Sequence, residues 1–507
     1  MSTTMQPLDT ITQSFGLKAE QSESTLNKLA IEDTGNVSAI NQLFDDYYAR
    51  NLAALSIILA NNESIENYNK SYIQKAIERI DALVSAQLNA IISQESFKQL
   101  HTQWLQIQDV FNGKGEDDKI DVCLLDVSKD ELQYDFERNL YDISSSDLFQ
   151  KVYVDEFDQY GGEPYGLLMG MYDFSYHEED ITWLSGMGMV AEGAHAPFLG
   201  AVNLDFFGVE NASELRKIKS FESLMEHPRY RHWNDFRETD QAAYIGLCVG
   251  QYIVKQPYHP TNNAVPGKSL KGFSEVVDSY ESKEAYLWAS TNIHMARNIM
   301  RSYDKTGWMQ YIRGPENGGY VENLLAPVYN INGYDEQRSA LDVSFADYME
   351  LSLANVGLIP LIEEKRTKNA AFFSVQSIKK VNEFVDDMDS INSQLVANLS
   401  YTLSISRIAH YIKCVIREKI GSVVSKEVIY NIINDWIQRY VTIAFKPTPL
   451  EMAKYPFRAA EVVVNPIPGK AGWYKTQVTL LPHIQFEGMD TTLKVDAKLD
   501  PSLFTAN

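Results

Sequence analysis

Residues 170–204 read GMYDFSYHEEDITWLSGMGMVAEGAHAPFLGAVNL, and this stretch decides how the centre of the chain folds. It combines the acidic run 178–180 with glycines near a predicted helix and with two histidines, His177 and His195. The Ala-His-Ala-Pro-Phe segment and its flanking glycines predict close packing between that helix and the strand that follows. The same residue types also occur in catalytic sites, so the stretch raises the question of whether the protein is an enzyme or a structural component.

The overall composition narrows the classes of partner. The 507 residues are long enough for two or three folding units, and the formal net charge is −23. So acidic a chain disfavours binding to nucleic acid or to an anionic membrane surface. The first 25 residues do not resemble a signal peptide, and glycines, Glu192 and Pro197 interrupt the longest apolar run, at 181–204. We therefore expect a soluble cytoplasmic protein.

The cysteines do not form a metal or redox motif. Cys123, Cys248 and Cys414 each lie among apolar residues and make no CxxC pair. We expect buried, reduced thiols, and the spacing of the residues gives no reason to expect a metal or another cofactor.

Hydrophobic patterning predicts four segments along the chain. Residues 1–40 form a polar mobile arm that carries a short amphipathic helix with Leu8, Ile11 and Phe15 on one face. Residues 41–111 are helical, and one long apolar stripe must face this chain or a partner helix. The stripe consists of Ile73, Ile77, Ile80, Val84, Leu88 and Ile91. Residues 112–375 alternate short strands and helices, with a strand candidate at 120–127 and a helix cap at Ser128 with Glu131.

The last segment, residues 376–507, starts with helices and changes to strands after Pro447. The first strand is β-branched and the second alternates apolar with polar residues, so each has one wet face. The strand residues are Glu461, Val462, Val463 and Val464, followed by Tyr474, Thr476, Val478 and Leu480. The predicted fold class is mixed α/β (α+β), with a helical N-terminal region, a central mixed region, and C-terminal helices followed by amphipathic strands.

No catalytic motif is complete. His177 does not begin an HExxH motif, and Ser185 lacks the first glycine of a nucleophile elbow. There is no P-loop, and His177 and His195 have no third ligand at a spacing typical of zinc sites. The alternative that remains is an enzyme that uses His177, Glu179 and His195, which would need a further polar group close to His195.

One basic cluster is unusual in so acidic a chain. Arg407, His410, Lys413 and Arg417 recur at spacings of three, three and four residues, which places them on one helix face. The face is either solvated and paired with local acids, or a contact for an acidic neighbour such as another copy of the chain.

Several segments, taken together and in order, resemble one family. They include MYDFSYHEEDITWL, AEGAHAPFLGAV, FFGVENASEL, YRHWNDFRETDQAAYIGLCVGQYIVKQPYHP, YLWASTNIHMARNIMRSYDKTGWMQYIRGPENGG, LANVGLIPLIEEKRTKNAAFFSVQSI, SYTLSISRIAHYIKCVIREKIGS and YPFRAAEVVVNPIPGKAGWYKTQVTLLPHIQF. The chain resembles the large subunit of the type VI secretion contractile sheath, known as TssC or VipB, and as IglB in the Francisella version.

The resemblance implies a structural protein and no enzyme. Such a subunit pairs with a small sheath subunit of the TssB, VipA or IglA type, and the heterodimers polymerise around an inner tube of hexamers above a baseplate. Contraction propels the inner tube and its spike for effector delivery, which links the family to virulence. The resemblance also implies that the C-terminal strands join an intermolecular sheet by β-augmentation. It further implies that the stripe from Ile73 to Ile91 contacts the small subunit, and that the helix with Leu8, Ile11 and Phe15 meets an AAA+ unfoldase.

Overall fold

The computed structural model of the protein describes residues 70–114, 119–261, 263–265, 272–280, 282–331, 334–382, 384–385, 387–418, 425–466 and 474–483. The predicted arm at 1–40, with Leu8, Ile11 and Phe15, lies outside these residues, and so does the start of the predicted helical segment.

Helices occupy both flanks of the described chain and alternate with strands in its centre, which confirms the predicted mixed α/β fold class. The α-helices are α1 Lys70–Ile92, α2 Glu95–Asn112, α3 Lys129–Arg138, α4 Asp147–Phe149, α5 Glu178–Ala194, α6 Ala212–Leu215, α7 Phe221–Met225, α8 Arg231–Arg237, α9 Asn292–Thr306, α10 Asp347–Asn355, α11 Asp387–Val396, α12 Leu399–Glu418, α13 Lys426–Ile437 and α14 Pro449–Lys454.

The strands form one parallel sheet and several small antiparallel ones. They are β1 Leu168–Phe174, β2 Phe198–Val202, β3 Ile245–Val249, β4 Gln251–Lys255, β5 Leu287–Ser290, β6 Tyr320–Val321, β7 Val328–Ile331, β8 Tyr334–Gln337, β9 Leu358–Pro360, β10 Ile362–Glu363, β11 Ala370–Ala371, β12 Phe457–Pro466 and β13 Tyr474–Pro482.

The central sheet has the strand order β1-β2-β3-β9, and all its neighbours are parallel. Every residue of β2 (FLGAV) and of β3 (IGLCV) is buried. Strands covered on both faces are continuously apolar rather than alternating, as expected for a parallel sheet. Helix α5 connects β1 to β2, so the stretch that opened the sequence analysis forms a β-α-β unit.

Glycines allow this unit to pack closely. A Cβ at Gly200 of β2 would lie 2.9 Å from the Phe174 ring, and a Cβ at Gly186 of α5 would lie 2.8 Å from Cβ of Phe136. Both distances are shorter than real Cβ contacts allow, so larger residues at these positions would push the layers apart. The first of these close approaches is between β2 and β1 and the second is between α5 and α3, so glycine-mediated packing of the helix against the following strand stays a prediction.

Aromatic side chains fill the core around α5. Trp183 is 1% exposed, and its ring contacts Phe136, Phe174 and Phe198 at centroid distances of 5.4, 4.9 and 5.6 Å. The indole Nε1 donates a hydrogen bond to the carbonyl of Lys129 at 3.0 Å, which satisfies its polar atom within the core. Trp183, three residues after the acidic run in the sequence, thus anchors α5 to the sheet.

The structure divides into two compact units. The first comprises Met1–Lys98 and Pro257–Val276, and its described part contains α1. Asn89 of α1 joins its two pieces, since its Oδ1 accepts from the amide of Val276 at 2.8 Å and its Nδ2 donates to the carbonyl of Ser274 at 3.5 Å. The second unit comprises Gln99–Gln256 and Val277–Asn507, and it contains the central sheet and the C-terminal hairpin.

Two local expectations of the sequence analysis are wrong, and a third is observed. Residues 120–127 form no strand in the structure, because β-propensity yields a strand only where a neighbouring edge is available. Cys123 is exposed, whereas Cys248 is buried and Cys414 is half-buried, so the expectation of three buried thiols is wrong for Cys123. The capping box at Ser128 with Glu131 is observed at the start of α3.

Candidate functional site

The two histidines of the opening stretch occupy opposite ends of α5. His177 is the N-cap residue and His195 is the C-cap residue of this 17-residue helix. At 1.5 Å per residue the two rings stand roughly 25 Å apart along the axis. His177 pairs with Asp205 at 3.2 Å and is more than half exposed, and Glu179 is exposed. The alternative catalytic group of His177, Glu179 and His195 is therefore not supported, because the fold separates its members.

His195 has a conformational role instead. Its backbone is left-handed, with φ of 52°, and the following amide of Ala196 donates to the carbonyl of Ala191 at 2.9 Å. This cap ends α5 and turns the chain into β2. Burial lowers the pKa of His195 below its ordinary value, and the neighbouring Lys413 adds to the effect. The ring is therefore neutral at physiological pH.

Removing the polar groups at the ends of α5 tests the structural interpretation. We expect the double substitution His177→Ala and Glu179→Ala to change the unfolding free energy by no more than about 0.5 kcal/mol, since both side chains are exposed. The measurement is denaturant unfolding of both proteins. A loss of stability several times larger would contradict the placement of both side chains at the surface.

The predicted basic face lies on α12, and its central member is buried. His410 is 5% exposed, and its Nε2 lies 2.9 Å from the carbonyl oxygen of Ala194 at the end of α5. Its ring packs edge-on against Phe157 at 4.9 Å and against His195 at 6.0 Å. Desolvation lowers the pKa of His410 to about 4, and the nearby His195, Lys413 and Arg407 act in the same direction. His410 therefore connects α12 to α5 as a neutral ring.

Lys413 and Arg417 contact the segment that follows α4. Lys413 Nζ pairs with Asp158 Oδ1 at 2.7 Å and also donates to the hydroxyl of Tyr153. Arg417 donates to the carbonyl of Phe157 at 2.8 Å and stacks over its ring at 5.2 Å. These two cations thus hold α12 against the segment that contains Tyr153, Phe157 and Asp158. This agrees with the interpretation in which the basic face pairs with acidic residues of the same chain. One carboxylate faces two cations here, so the contact with an acidic neighbour stays a prediction.

Arg407 lies against aromatic rings rather than acids. Its guanidinium stands 4.4 Å from the centroid of Tyr303 and 5.5 Å from that of Trp308, and it donates to the hydroxyl of Tyr411 at 2.6 Å. Stacking of this kind is a structural use of arginine. The helical spacing of the four basic residues is confirmed, whereas their contacts differ from one residue to the next.

His410 predicts an acid-dependent loss of stability. Its folded pKa of about 4 is below the ordinary 6.5, so between these values the unfolded state binds more protons than the folded state. Stability is fully present above pH 6.5 and falls as the pH drops towards 4, by about 1.4 kcal/mol per unit of pKa difference. We expect His410→Gln, which retains a donor for Ala194, to flatten this decline. Urea unfolding of both proteins from pH 7 to 4 measures it, and parallel curves would contradict the assignment.

The predicted C-terminal strands pair with each other. Strands β12 and β13 form an antiparallel hairpin in which Val462 faces Val478, Val464 faces Thr476 and Ala460 faces Leu480. Val462 and Val464 are buried on α12 and α13, together with Ile408, Ile433 and Ile437. Glu461, Gln477 and Thr479 are exposed on the other face. The alternation in the sequence therefore predicts the sides correctly for these residues; the side chain of Tyr474 lies outside the described ones.

The hairpin is a two-stranded sheet with open edges. In the described part of the chain, strand-type contact beyond the hairpin is limited to one bridge between Val441 and Phe457, extended by the amide of Thr442, which donates to Phe457 O at 2.8 Å. From Ala459 onward β12 has no further strand partner among the described residues, although Gln438 Nε2 donates to the carbonyl of Ala460 at 3.2 Å, and β13 has no further strand partner along its length. Unpaired edges of this kind are templates for pairing with another chain.

A groove of about 600 Å³ lies beside β13. Thr476, Val478 and Leu480 form one wall, and the apolar face of α12 forms the other. The residues of α12 in this wall are Tyr401, Ile405, Ile408, Ala409, Ile412 and Ile416, with Lys413, Arg417 and Asp158 at the rim. No residue of β12 lines it, so the sheet is narrower than the helix layer beneath it on the β13 side. The sequence shows the helical spacing of these isoleucines. It does not show that the sheet leaves part of their face uncovered.

Two further exposed apolar residues were missed by the sequence analysis. Ile443 is 98% and Phe445 is 97% exposed, just after the bridge to β12. A pair of apolar residues between two polar turns was the available signal, and it is too short to show a period.

The helical stripe is placed on α1. Ile80, Val84 and Ile91 are 38%, 40% and 42% exposed, and Leu88 is half-buried. Ile73 and Ile77 belong to α1, and their side chains lie outside the described ones. The contact of this stripe with a small subunit stays a prediction.

Within the described ranges no group of three or more His, Cys, Asp or Glu side chains is placed to hold a metal ion. A search of the same ranges also finds no helix that is both long and apolar enough to cross a bilayer.

Comparisons with known proteins identify the family of the chain. Residues 74–379 match the model of the EvpB/VC_A0108 tail sheath N-terminal domain, and residues 388–499 match that of the tail sheath gpW/gp25-like domain. The chain belongs to the TssC/VipB family of type VI secretion sheath proteins. The type VI secretion system sheath protein TssC1 of Pseudomonas aeruginosa is 33% identical over 446 residues, which cover 87% of each chain. These matches confirm the resemblance to the type VI secretion sheath large subunit that the sequence showed. The chain is a structural sheath protein of the TssC/VipB family.

Two solved structures share a low likeness with it. A chain of the anti-feeding prophage baseplate has a TM-score of 0.32 at 10% identity and covers 61% of this chain and 64% of that chain. A chain of the anti-feeding prophage helical sheath in the contracted state has a TM-score of 0.31 at 11% identity, with 62% and 67% covered. At these TM-scores neither structure supports a conclusion about this chain.

Proposed function

We propose that this sheath protein pairs with a small sheath subunit and polymerises with other heterodimers as a tube in the bacterial cytoplasm. The tube surrounds an inner tube of hexamers, meets a baseplate, and contracts to drive the inner tube and its spike outward for effector delivery. The work is mechanical, so the chain acts without a catalytic residue or a cofactor. The observation that carries the proposal is the hairpin β12–β13, which leaves its edges open beside an apolar groove.

The geometry favours the edge of β13 as the lattice contact. A strand added there would continue the sheet over the exposed face of α12, and its inward side chains would fill the groove. The edge of β12 is partly engaged by Thr442 and its inner face rests on α13. In this proposal the lattice strands are Glu461–Val464 and Tyr474–Leu480. The free edge of β13 is the one that receives a strand from a neighbouring subunit. Main-chain hydrogen bonds would hold the lattice while the subunits rotate during contraction.

Other surfaces are assigned by analogy with the family. The stripe of α1, from Ile73 to Ile91, would contact the small subunit, since exposed aliphatic residues on a long helix require a partner. The residues Leu8, Ile11 and Phe15 would meet an AAA+ unfoldase that recycles the sheath. The four basic residues of α12 do not share one role in this proposal. Lys413 and Arg417 lie at the rim of the groove, whereas Arg407 and His410 do not line it.

Co-expression with a small sheath subunit tests the proposal. We expect the chain alone to be poorly soluble and the pair to form tubes visible by negative stain. Ile416→Glu should abolish the tubes, because Ile416 lines the groove and a glutamate there would place a charge where the added strand packs. Ile416 is already 42% exposed, so the substitution should cost the free heterodimer less than about 0.5 kcal/mol.

The matched control is Val428→Glu on α13. Val428 is 45% exposed and does not line the groove, so this variant should form tubes at the wild-type level. A soluble monodisperse monomer that needs no partner, or tubes from Ile416→Glu in normal numbers, would count against the proposal.

A further inference from the structure

The two outer edges of the hairpin β12–β13 differ in how far this chain covers them. Residues 438–442, which follow α13, lie along the beginning of β12, and we call this segment the strap. The edge of β13 has no strand or strap beside it among the described residues. Both edges belong to the second unit, so the difference is a property of one folded body.

Three hydrogen bonds hold the strap in place. The amide of Thr442 donates to the carbonyl of Phe457 at 2.8 Å, and the Thr442 hydroxyl donates to the carbonyl of Tyr455 at 2.9 Å. Gln438 Nε2 donates to the carbonyl of Ala460 at 3.2 Å. Because the carbonyl of Ala460 points at the strap, the amide of this residue faces the same outer edge. The strap therefore occupies outward-facing carbonyl groups in the first part of β12.

The remainder of the β12 edge is short. Outward positions alternate along a strand, so the residues after Ala460 that face this edge are Val462 and Val464. The strand ends at Pro466, which has no amide to donate, and its pairing with β13 is irregular at its start, next to the strap. Covering loops, irregular pairing and prolines are the features by which proteins prevent pairing at a sheet edge. A stretch of two free residues rarely supports a strand pair.

The edge of β13 lacks these features over most of its length. Its register with β12 is continuous from Tyr474 to Leu481, and its first proline is its last residue, Pro482. The groove beside this edge is lined by apolar side chains of α12. A strand added to β13 can therefore form an uninterrupted ladder and bury apolar side chains, whereas a strand added to β12 meets the strap.

We propose that Gln438 and Thr442 are specificity determinants of the assembly: they close the edge of β12, so that a strand from a neighbouring subunit adds to β13 alone. The inference rests on the proposed function, because it concerns the same hairpin. The partner excluded from the closed edge is the β12 edge of a second copy, since two identical edges can pair antiparallel about a twofold axis. Such a pair closes on itself and would withdraw subunits from the helical lattice.

Sedimentation velocity of a heterodimer that does not build tubes tests the strap. Ile416→Glu supplies this background, and Gln438→Ala together with Thr442→Pro removes both donors to β12. We expect the background alone to sediment as a single heterodimer. The variant without the two donors should shift, in a concentration-dependent manner, to a dimer of heterodimers. The matched control is Arg439→Ala, an exposed position next to Gln438, which should leave the single heterodimer unchanged.

A further substitution, Ala460→Pro, separates an open edge from misfolding. The amide of Ala460 faces outward, so proline removes a donor of the open edge and leaves the pairing with β13 in place. We expect it to return the protein without the two donors to the single heterodimer, which a misfolded protein would not do. Single heterodimers before Ala460→Pro is added, or dimers that persist after it, would overturn the proposal. Tubes from the Ile416→Glu background itself would instead contradict the proposed function on which the inference rests.

Discussion

Tube formation should be lost when proline replaces a residue whose amide lies on the outer edge of β13. Successive amides of a strand point to opposite edges, so one of Val478 and Thr479 donates towards β12 and the other donates outward. Proline removes the donor in either case. We expect both Val478→Pro and Thr479→Pro to abolish tubes. The outward variant should keep the unfolding temperature of the heterodimer close to wild type, whereas the inward variant should lower it.

The comparison separates assembly from folding. Negative-stain imaging measures tubes, and differential scanning calorimetry measures the heterodimer. Thr479→Ala retains the amide at an exposed position and serves as the control, with normal tubes expected. If both proline variants formed intact tubes, β13 would not be a lattice strand, and the groove beside it would need another occupant.

The largest loss of stability is expected for Trp183→Ala. The side chain is 1% exposed and contacts three aromatic rings of the core, so its removal leaves a cavity that the sheet and α5 cannot close. We expect a loss of about 3–5 kcal/mol in the free energy of unfolding. Urea unfolding of the heterodimer, followed by circular dichroism, measures this loss.

Trp183→Phe distinguishes the ring from its polar atom. Phenylalanine retains most of the aromatic contacts but cannot donate to the carbonyl of Lys129, so its cost should be clearly smaller than that of alanine. A loss below about 1 kcal/mol for Trp183→Ala would show that α5 is not anchored as the structure indicates.

The hairpin was predictable because its signal is local. Alternation of apolar and polar residues over 474–480 specifies one buried face, and the structure places Thr476, Val478 and Leu480 on the side of α12. The partner of that face was not predictable. The alternation does not show whether β13 pairs with β12 or with another chain, and only the structure shows that one of its edges is already used by β12.

The histidines illustrate the opposite case. His177, Glu179 and His195 lie within a short span of the sequence. In the structure a helix of 17 residues separates the two histidines, which lie at its opposite ends. His410, which contacts His195, is more than 200 positions away along the chain. Spacing in sequence measures distance only within a single regular element.

The sequence by itself determined the fold class, the family, the helix that carries the basic residues, and the inward face of the C-terminal strands. These features depend on periodicity and on motifs, which are properties of neighbouring residues. The tertiary structure decided which cations are already paired, why His177 and His195 lie at opposite ends of α5, and where an apolar groove lies beside β13. Those outcomes depend on packing between distant segments, where burial and available hydrogen-bond partners are set by the whole fold.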